Sequence, residues 1–192
     1  MYSLSQSIEF EEIANPHSWF LVASELHEQA KLLREGSNSF IHRRDVMGPN
    51  SKSWNASNRT VILLAGFALE NIIKAYLIYE HPNYICDGFL SKKIQTHKLT
   101  KLAKDSSLLP YQSQSFNTLK YFEEGLESWA RYPCGLNWGQ TKEQNILSDK
   151  AWCNYRWLMR AYESRFKKLI LGGWKGPHVF EGSFKISGSW LQ

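Results

Sequence analysis

The chain has 192 residues, and 14% of them are aromatic, including eight Trp, nine Tyr and ten Phe. This size and apolar content allow one sizeable hydrophobic core, which excludes a disordered protein and favours a single domain. The formal net charge of +5 and the pI near 9.0 favour anionic partners such as RNA or nucleotides, although the charge excess is modest for the length.

The N-terminus and the cysteines favour a soluble cytoplasmic protein. Glu9, Glu11 and Glu12 stand where a signal peptide would need a basic start and an apolar run. The longest uncharged apolar stretch, residues 60–69, is about half of the roughly 20 residues that a membrane-spanning helix requires. The three cysteines are far apart and odd in number, so we expect reduced thiols and no dithiol or zinc pair.

The first half of the chain predicts two long helices. Apolar residues at spacings of three and four indicate an amphipathic helix over residues 17–34, ending near Gly36. Ser, Asn, Gly and Pro then accumulate up to residue 51, which is typical of a loop and a candidate for mobility. A second helix is predicted over residues 57–79, ending at His81–Pro82. Because its apolar residues surround most of its circumference, it should be the central, buried helix.

Three further helices are predicted in the second half. A short basic helix begins at His97 and exposes three lysines, Lys98, Lys101 and Lys104. A fourth helix covers residues 113–131 and ends before Pro133. A fifth begins near the capping residue Ser148 and ends at the glycine pair 172–173. Five helices with short connections predict an all-α, five-helix up-and-down bundle over residues 1–171.

The last part of the chain, residues 172–192, alternates apolar and polar residues with a period of two. This pattern indicates an extended, β-like tail, and we expect strands only there. One interpretation is a tail that lies over the helices and buries Trp174 and Trp190. The other is an arm that pairs with another subunit or partner.

The sequence contains none of the common motifs of phosphate-binding loops, dinucleotide-binding folds, zinc proteases or serine hydrolases. The six histidines never occur four residues apart, so no helical metal-binding pair exists. We therefore expect no metal and no cofactor.

Several polar residues stand out against this background. Glu70 and Lys74 have the favourable spacing for an ion pair within the second helix. A carboxylate on a mostly buried helix requires a partner, which could be Lys74, His97 or Arg131. We expect Arg131 to provide a bidentate contact, since a guanidinium fits a carboxylate in this way. The predicted polar corner also includes Tyr132.

The same residues carry a family resemblance. Four segments, in their order along about residues 15–171, resemble HEPN domains. They are Ala65-Gly66-Phe67-Ala68-Leu69-Glu70 with Lys74-Ala75, Thr96-His97-Lys98-Leu99 with Leu102, Ala130-Arg131-Tyr132-Pro133, and a closing helix with Ala161. The resemblance implies a four- or five-helix bundle, frequent homodimers, and RNase toxins or nucleotide- or RNA-binding modules of prokaryotic toxin–antitoxin and phage-defence systems. One departure is that the R-x4-6-H motif of HEPN nucleases is missing, because no histidine lies four to six residues after Arg131.

We therefore expect a non-catalytic or divergent HEPN-like module that binds RNA or a nucleotide. The expected ligand-binding residues share a basic or polar side chain near the corner: Glu70, Lys74, His97, Lys98, Lys101, Arg131 and Tyr132. Catalytic residues are not assigned, and His97 and Arg131 are the candidates for a metal-independent RNase, which is one alternative. Another alternative is an interaction module that forms a homodimer and pairs with a partner such as a nucleotidyltransferase.

Overall fold

The computed structural model describes residues 2–36, 41–44, 52–55, 57–135, 137–142, 147–178 and 180–184. Most of these residues are helical, as expected for an all-α fold. The helices are α1 (Leu4–Ala14), α2 (Pro16–Gly36), α3 (Asn58–Glu80), α4 (Leu99–Asp105), α5 (Gln112–Glu124), α6 (Trp138–Lys142) and α7 (Asp149–Ile170). A 3-10 turn at Pro82–Tyr84 follows α3, and a π-helical turn at Gly125–Trp129 continues α5.

Within the described ranges, the strands form three short antiparallel hairpins. They pair β1 (Ile41–Arg44) with β2 (Lys52–Asn55), β3 (Ile85–Cys86) with β4 (Phe89–Leu90), and β5 (Trp174–Lys175) with β6 (Glu181–Gly182). The prediction that strands occur only in the tail is therefore wrong. Four-residue and two-residue strands carry too short an alternation to be recognised in a segment rich in Ser, Asn and Gly.

The centre of the fold is α3, which contacts α2, α4, α5 and α7. By length and composition α3 could cross a membrane, but 78% of its most apolar window is buried inside the protein, as in the core helix of a soluble protein. The apolar pattern of the predicted helices places Leu64, Leu69, Ile73, Phe122 and Leu158 in the core, and all of these except Leu64 are fully buried. Leu64 is partly buried and packs against them.

The five predicted helices correspond to α2, α3, α4, α5 and α7. Ser148 caps α7 as expected, because its hydroxyl accepts a hydrogen bond from the Ala151 amide at 3.2 Å. Two bounds differ: α4 begins at Leu99, which places His97 before the helix, and the helical conformation after α5 ends at Trp129. Sequence patterning also missed α1, which begins with a capping box between Ser3 and Gln6.

Two glycines bring α3 and the π-helical turn into close contact. A Cβ atom on Gly66 would lie 2.8 Å from Cγ of Leu126, and one on Gly125 would lie 2.6 Å from Cγ2 of Ile62. Each glycine thus receives a side chain from the opposite element. This contact fixes the position of Arg131, which follows the turn and whose amide donates to the Ser128 carbonyl at 3.0 Å.

The described part of the tail lies over the helices. Trp174 is buried and its indole N–H donates to the Ile78 carbonyl at 3.3 Å, while Phe180 and Phe184 pack against the core. Trp190 lies outside the described residues, as do the last residues of the predicted alternation. The covering tail is therefore the interpretation that the structure supports for residues 174–178 and 180–184.

The homodimer stays a prediction, and the apolar surface of α3 is no argument for it. The apolar circumference of α3 is covered by α2, α4, α5 and α7 of the same chain, so it does not require a second subunit. Light scattering at tens of micromolar protein distinguishes a dimer from a monomer.

Candidate functional site

A buried ion pair on α3 is the base of the candidate site. The ammonium of Lys74 lies 2.6 Å from Oε1 of Glu70, one helical turn away, and both side chains are at most 7% exposed. Lys74 also lies 5.5 Å from the centre of the Trp19 ring on α2. Burial of two charges is costly, so the hydrogen bond and the aromatic contact are what make this position tolerable.

His97 supplies the second partner of Glu70. Its Nδ1 lies 2.8 Å from Oε2 of the carboxylate, so the two oxygens of Glu70 have different partners. Because an ionised carboxylate only accepts hydrogen bonds, Nδ1 donates in this contact, and Nε2 is the ring nitrogen that Glu70 does not contact. The His97 side chain is 47% exposed. Glu70 therefore holds an accessible imidazole in position.

Phe67 connects this pair to Arg131. The ring of Phe67 meets the His97 ring edge to face at 5.9 Å, and Cζ of Arg131 lies 5.7 Å from the centre of the same ring. Arg131 is exposed, and its guanidinium has no hydrogen bond or ion pair with any residue that the structure describes. A cation and an imidazole thus flank one aromatic ring. We call Glu70, Lys74, His97 and Arg131 the polar corner.

The structure brings Glu70, Lys74 and His97 together, but it differs from the predicted polar corner in its bonding and in the place of Tyr132. Lys74 and His97 are each hydrogen-bonded to Glu70, whereas the expected bidentate contact between Arg131 and Glu70 is wrong. Both carboxylate oxygens are already used, and Arg131 stacks on Phe67 instead. Since its charge is not neutralised by Glu70, Arg131 can bind an external anion.

Lys98 and Lys101 lie next to the corner at the start of α4. Both are exposed, and neither forms an ion pair within the described ranges. Lys92, Lys93 and Lys104 are also exposed without a carboxylate partner there, and two of them cover aromatic rings, Lys93 over Tyr84 and Lys104 over Phe116. We call these five exposed lysines, which lie within residues 92–104, the lysine surface.

Tyr132 is half-exposed and its ring makes no described contact with the polar corner. Its backbone carbonyl accepts a hydrogen bond from the Arg59 guanidinium, which ties the segment after Arg131 to the start of α3. Tyr132 is therefore a neighbour of the corner that remains available for stacking.

Sequence reasoning missed the roles of Phe67 and Trp19. Both are aromatic residues at helical spacing, a pattern that is usual in a core, so periodicity alone does not separate them from packing residues. Comparison of the chain with protein-family models, curated proteins and solved structures found no match.

Proposed function

We propose that this protein binds RNA or a nucleotide through its phosphate groups, using the polar corner and the lysine surface. The observation that carries this proposal is the position of Arg131, an exposed guanidinium without an acidic partner among the described residues, beside the oriented imidazole of His97. Guanidinium and imidazole groups that flank an aromatic ring suit a phosphate attached to a base or sugar.

The lysine surface supports the same proposal. Five exposed lysines without carboxylate partners, as far as the structure describes them, attract a polyanion and release its counterions on binding. The exposed ring of Tyr132, next to Arg131, offers a stacking surface for an unpaired base. Single-stranded RNA combines both features, since its phosphates and its bases are accessible together.

The test is a titration of labelled single-stranded RNA, and separately of a labelled nucleotide, at several salt concentrations. Each phosphate contact to a single strand contributes about 0.7 to the salt slope, so Lys98→Ala/Lys101→Ala should lower the magnitude of that slope by about 1.4. The matched control is Lys150→Ala/Lys168→Ala, which removes two exposed lysines of α7.

Arg131→Ala should weaken binding and lower the slope by about 0.7. Equal losses in the control and in the Lys98/Lys101 variant would show that net charge, not this surface, determines binding. Absence of binding by the wild type would refute the proposal and leave the protein-interaction alternative.

A metal-independent RNase is the second candidate, and the hydrogen bond between Glu70 and His97 favours it. A buried carboxylate that fixes an exposed imidazole is the arrangement of a general base, and Arg131 could stabilise the charged phosphorane. Labelled RNA is incubated with wild type, His97→Ala and Arg131→Ala, with and without EDTA. Cleavage that resists EDTA and is lost in both variants would establish the RNase, whereas we expect little or no cleavage because the histidine of the HEPN motif is missing.

We also propose that the chain acts as a HEPN-like module of a toxin–antitoxin or defence system. The bonded Glu70, Lys74 and His97, with Arg131 nearby, support this because they are the residues of the resemblance. A neighbouring gene for a nucleotidyltransferase that co-purifies with this protein would agree with it, and a gene surrounded by housekeeping functions would not.

A further inference from the structure

A second polar cluster lies away from the polar corner, where the β3–β4 turn meets the tail. One ligand atom each from Cys86, Asp87 and His178 lie within 4.8 Å of one another. Cys86 ends β3, and Asp87 with Gly88 forms a two-residue turn in which both have positive φ angles, 54° and 77°. His178 belongs to the turn between β5 and β6. Two turns therefore present a thiol, a carboxylate and an imidazole to the same point.

Glu11 on α1 orients the imidazole of this cluster. Its Oε1 is hydrogen-bonded to Nδ1 of His178, and Nε2 of the same ring lies 3.3 Å from Oδ1 of Asp87. In many metal sites, a histidine donates one ring N–H to a carboxylate and binds the metal with its other ring nitrogen. Glu11 thus fixes Nε2 of His178 as the atom that faces Asp87 and Cys86.

Glu11 also gives an independent reason for a cation. Its side chain is fully buried, and its Oε2 has no hydrogen bond with any described residue. A buried carboxylate with an unsatisfied oxygen is unfavourable unless positive charge is close. A divalent ion on Nε2 of His178 places positive charge one imidazole ring away from this carboxylate, which stabilises the charge of Glu11 without giving Oε2 a hydrogen bond.

We propose that Cys86, Asp87 and His178 bind a Zn²⁺ ion, with Glu11 as the positioning residue of His178. The donor set of one sulfur, one nitrogen and one oxygen suits zinc, whereas Mg²⁺ and Ca²⁺ require oxygen ligands. Ligand atoms at about 2.0–2.3 Å from a tetrahedral ion lie about 3.3–3.8 Å apart, so the cluster closes by about 1 Å. Because Oδ1 of Asp87 is already 3.3 Å from Nε2 of His178, this closure brings the Cys86 sulfur towards both atoms.

Ion binding replaces the hydrogen bond between Asp87 and His178 by two metal–ligand bonds, and two protons pass to solvent, one from Nε2 of His178 and one from the Cys86 thiol as the metal–sulfur bond forms. A fourth position remains for water. The ion would fasten the tail to α1 and to the β3–β4 turn, so its effect is a stabilised C-terminal segment, independent of any binding at the polar corner.

The experiment uses the full chain, freed of metal with EDTA and carrying Cys134→Ser and Cys153→Ser. These two exposed thiols are outside the cluster, and their removal prevents binding there. Co²⁺ is added as a spectroscopic probe, and Zn²⁺ affinity is measured by competition with a chromophoric chelator. We expect one ion per chain, a sulfur-to-cobalt charge-transfer band, and a rise of the melting temperature with Zn²⁺.

Cys86→Ser should remove the charge-transfer band and lower Zn²⁺ affinity by at least about tenfold, and Glu11→Gln should lower it by about 10–100-fold while keeping the band. If circular dichroism shows that another variant does not fold, Asp87→Asn takes its place in the affinity measurement, because asparagine tolerates the positive φ angle at this position. Absence of stoichiometric binding in the folded parent, or unchanged affinity and spectrum in Cys86→Ser, would overturn the proposal. No RNA is present in the assay, so its failure would leave the proposed RNA binding unaffected.

Discussion

Glu70 on α3 and His97 before α4 share a hydrogen bond of 2.8 Å although they lie 27 residues apart in the chain. The same carboxylate holds Lys74 through its other oxygen. The buried Glu70 carboxylate therefore positions both the ammonium of Lys74 and the imidazole of His97. A substitution at Lys74 should for this reason alter the His97 ring through Glu70, although Lys74 and His97 are not bonded to each other.

Lys74→Met should destabilise the protein by about 3–5 kcal/mol, because it leaves the buried Glu70 carboxylate with His97 as its remaining partner. The double variant Glu70→Leu/Lys74→Met should recover most of this loss, since a well-packed apolar pair often replaces a buried ion pair at little cost. The measurement is urea unfolding at neutral pH.

Glu28→Ala is the control for this series, because Glu28 pairs with Lys31 at 3.2 Å with a side chain that is 45% exposed. That change should cost at most about 1 kcal/mol. If Lys74→Met costs no more than Glu28→Ala, the pair on α3 is solvated in solution and the polar corner is not a buried arrangement.

Gly66→Ala and Gly125→Ala should each destabilise the protein by about 1–3 kcal/mol. A new Cβ would meet Leu126 or Ile62 at under 3.0 Å and push the π-helical turn away from α3. Gly36→Ala is the control, since no atom lies within 4 Å of its added Cβ, and it should leave stability nearly unchanged. Thermal unfolding of the three variants decides this, and equal melting temperatures would contradict the close contact.

The sequence predicted the long helices well because their apolar residues repeat over four or more turns. It missed α1, whose three glutamates read as a charged terminus although Glu11 is fully buried. The partner of that carboxylate, His178, lies 167 residues away, and no local pattern reports such a contact. The short hairpins were missed for a different reason, because strands of two to four residues are too short to show an alternation of apolar and polar residues.

The candidate site was predictable in part. A carboxylate on a buried helix must find partners, and this rule indicated Lys74 and His97 before the structure was known. The rule does not say which of several possible partners binds Glu70, and for this reason the expected contact between Arg131 and Glu70 was wrong. The Phe67 ring contacts both His97 and Arg131, and Arg131 stacks on this ring and does not bind Glu70.

Phe67→Leu tests the role of this ring in the proposed binding. Leucine keeps the apolar character but removes the aromatic face that holds Arg131, an interaction of about 0.5–1 kcal/mol at an exposed site. RNA affinity should fall by about 2–5-fold with an unchanged salt slope, because the number of charges is the same. Phe116→Leu, at the ring under Lys104, is the matched control. A larger loss in Phe116→Leu would move the binding surface towards α5.

Three buried tyrosines and the partly buried Tyr121 should make the protein lose stability at alkaline pH. Burial raises the pKa of Tyr121 and of Tyr162 to about 12, and it raises the pKa of Tyr76 and Tyr155 as well. A tyrosine in the unfolded chain ionises near pH 10, so the folded state keeps protons that the unfolded state releases. The stability from these groups is fully present below about pH 10 and falls as the pH rises towards 12.

Tyr162→Phe measures one of these contributions directly. The variant loses a hydrogen bond of 3.3 Å to Ser115, but the Ser115 hydroxyl still has the Gln112 carbonyl at 3.1 Å, so no buried group is left without a partner. A pKa shift of about two units corresponds to about 3 kcal/mol, so between pH 10 and 12 the unfolding free energy of the variant should fall by up to about 3 kcal/mol less than that of the wild type. Urea titrations of both proteins across this range provide the comparison, and other titrating groups cancel because the two chains share them. Parallel pH profiles would mean that the Tyr162 hydroxyl is accessible to solvent in the folded protein, contrary to its position in the core.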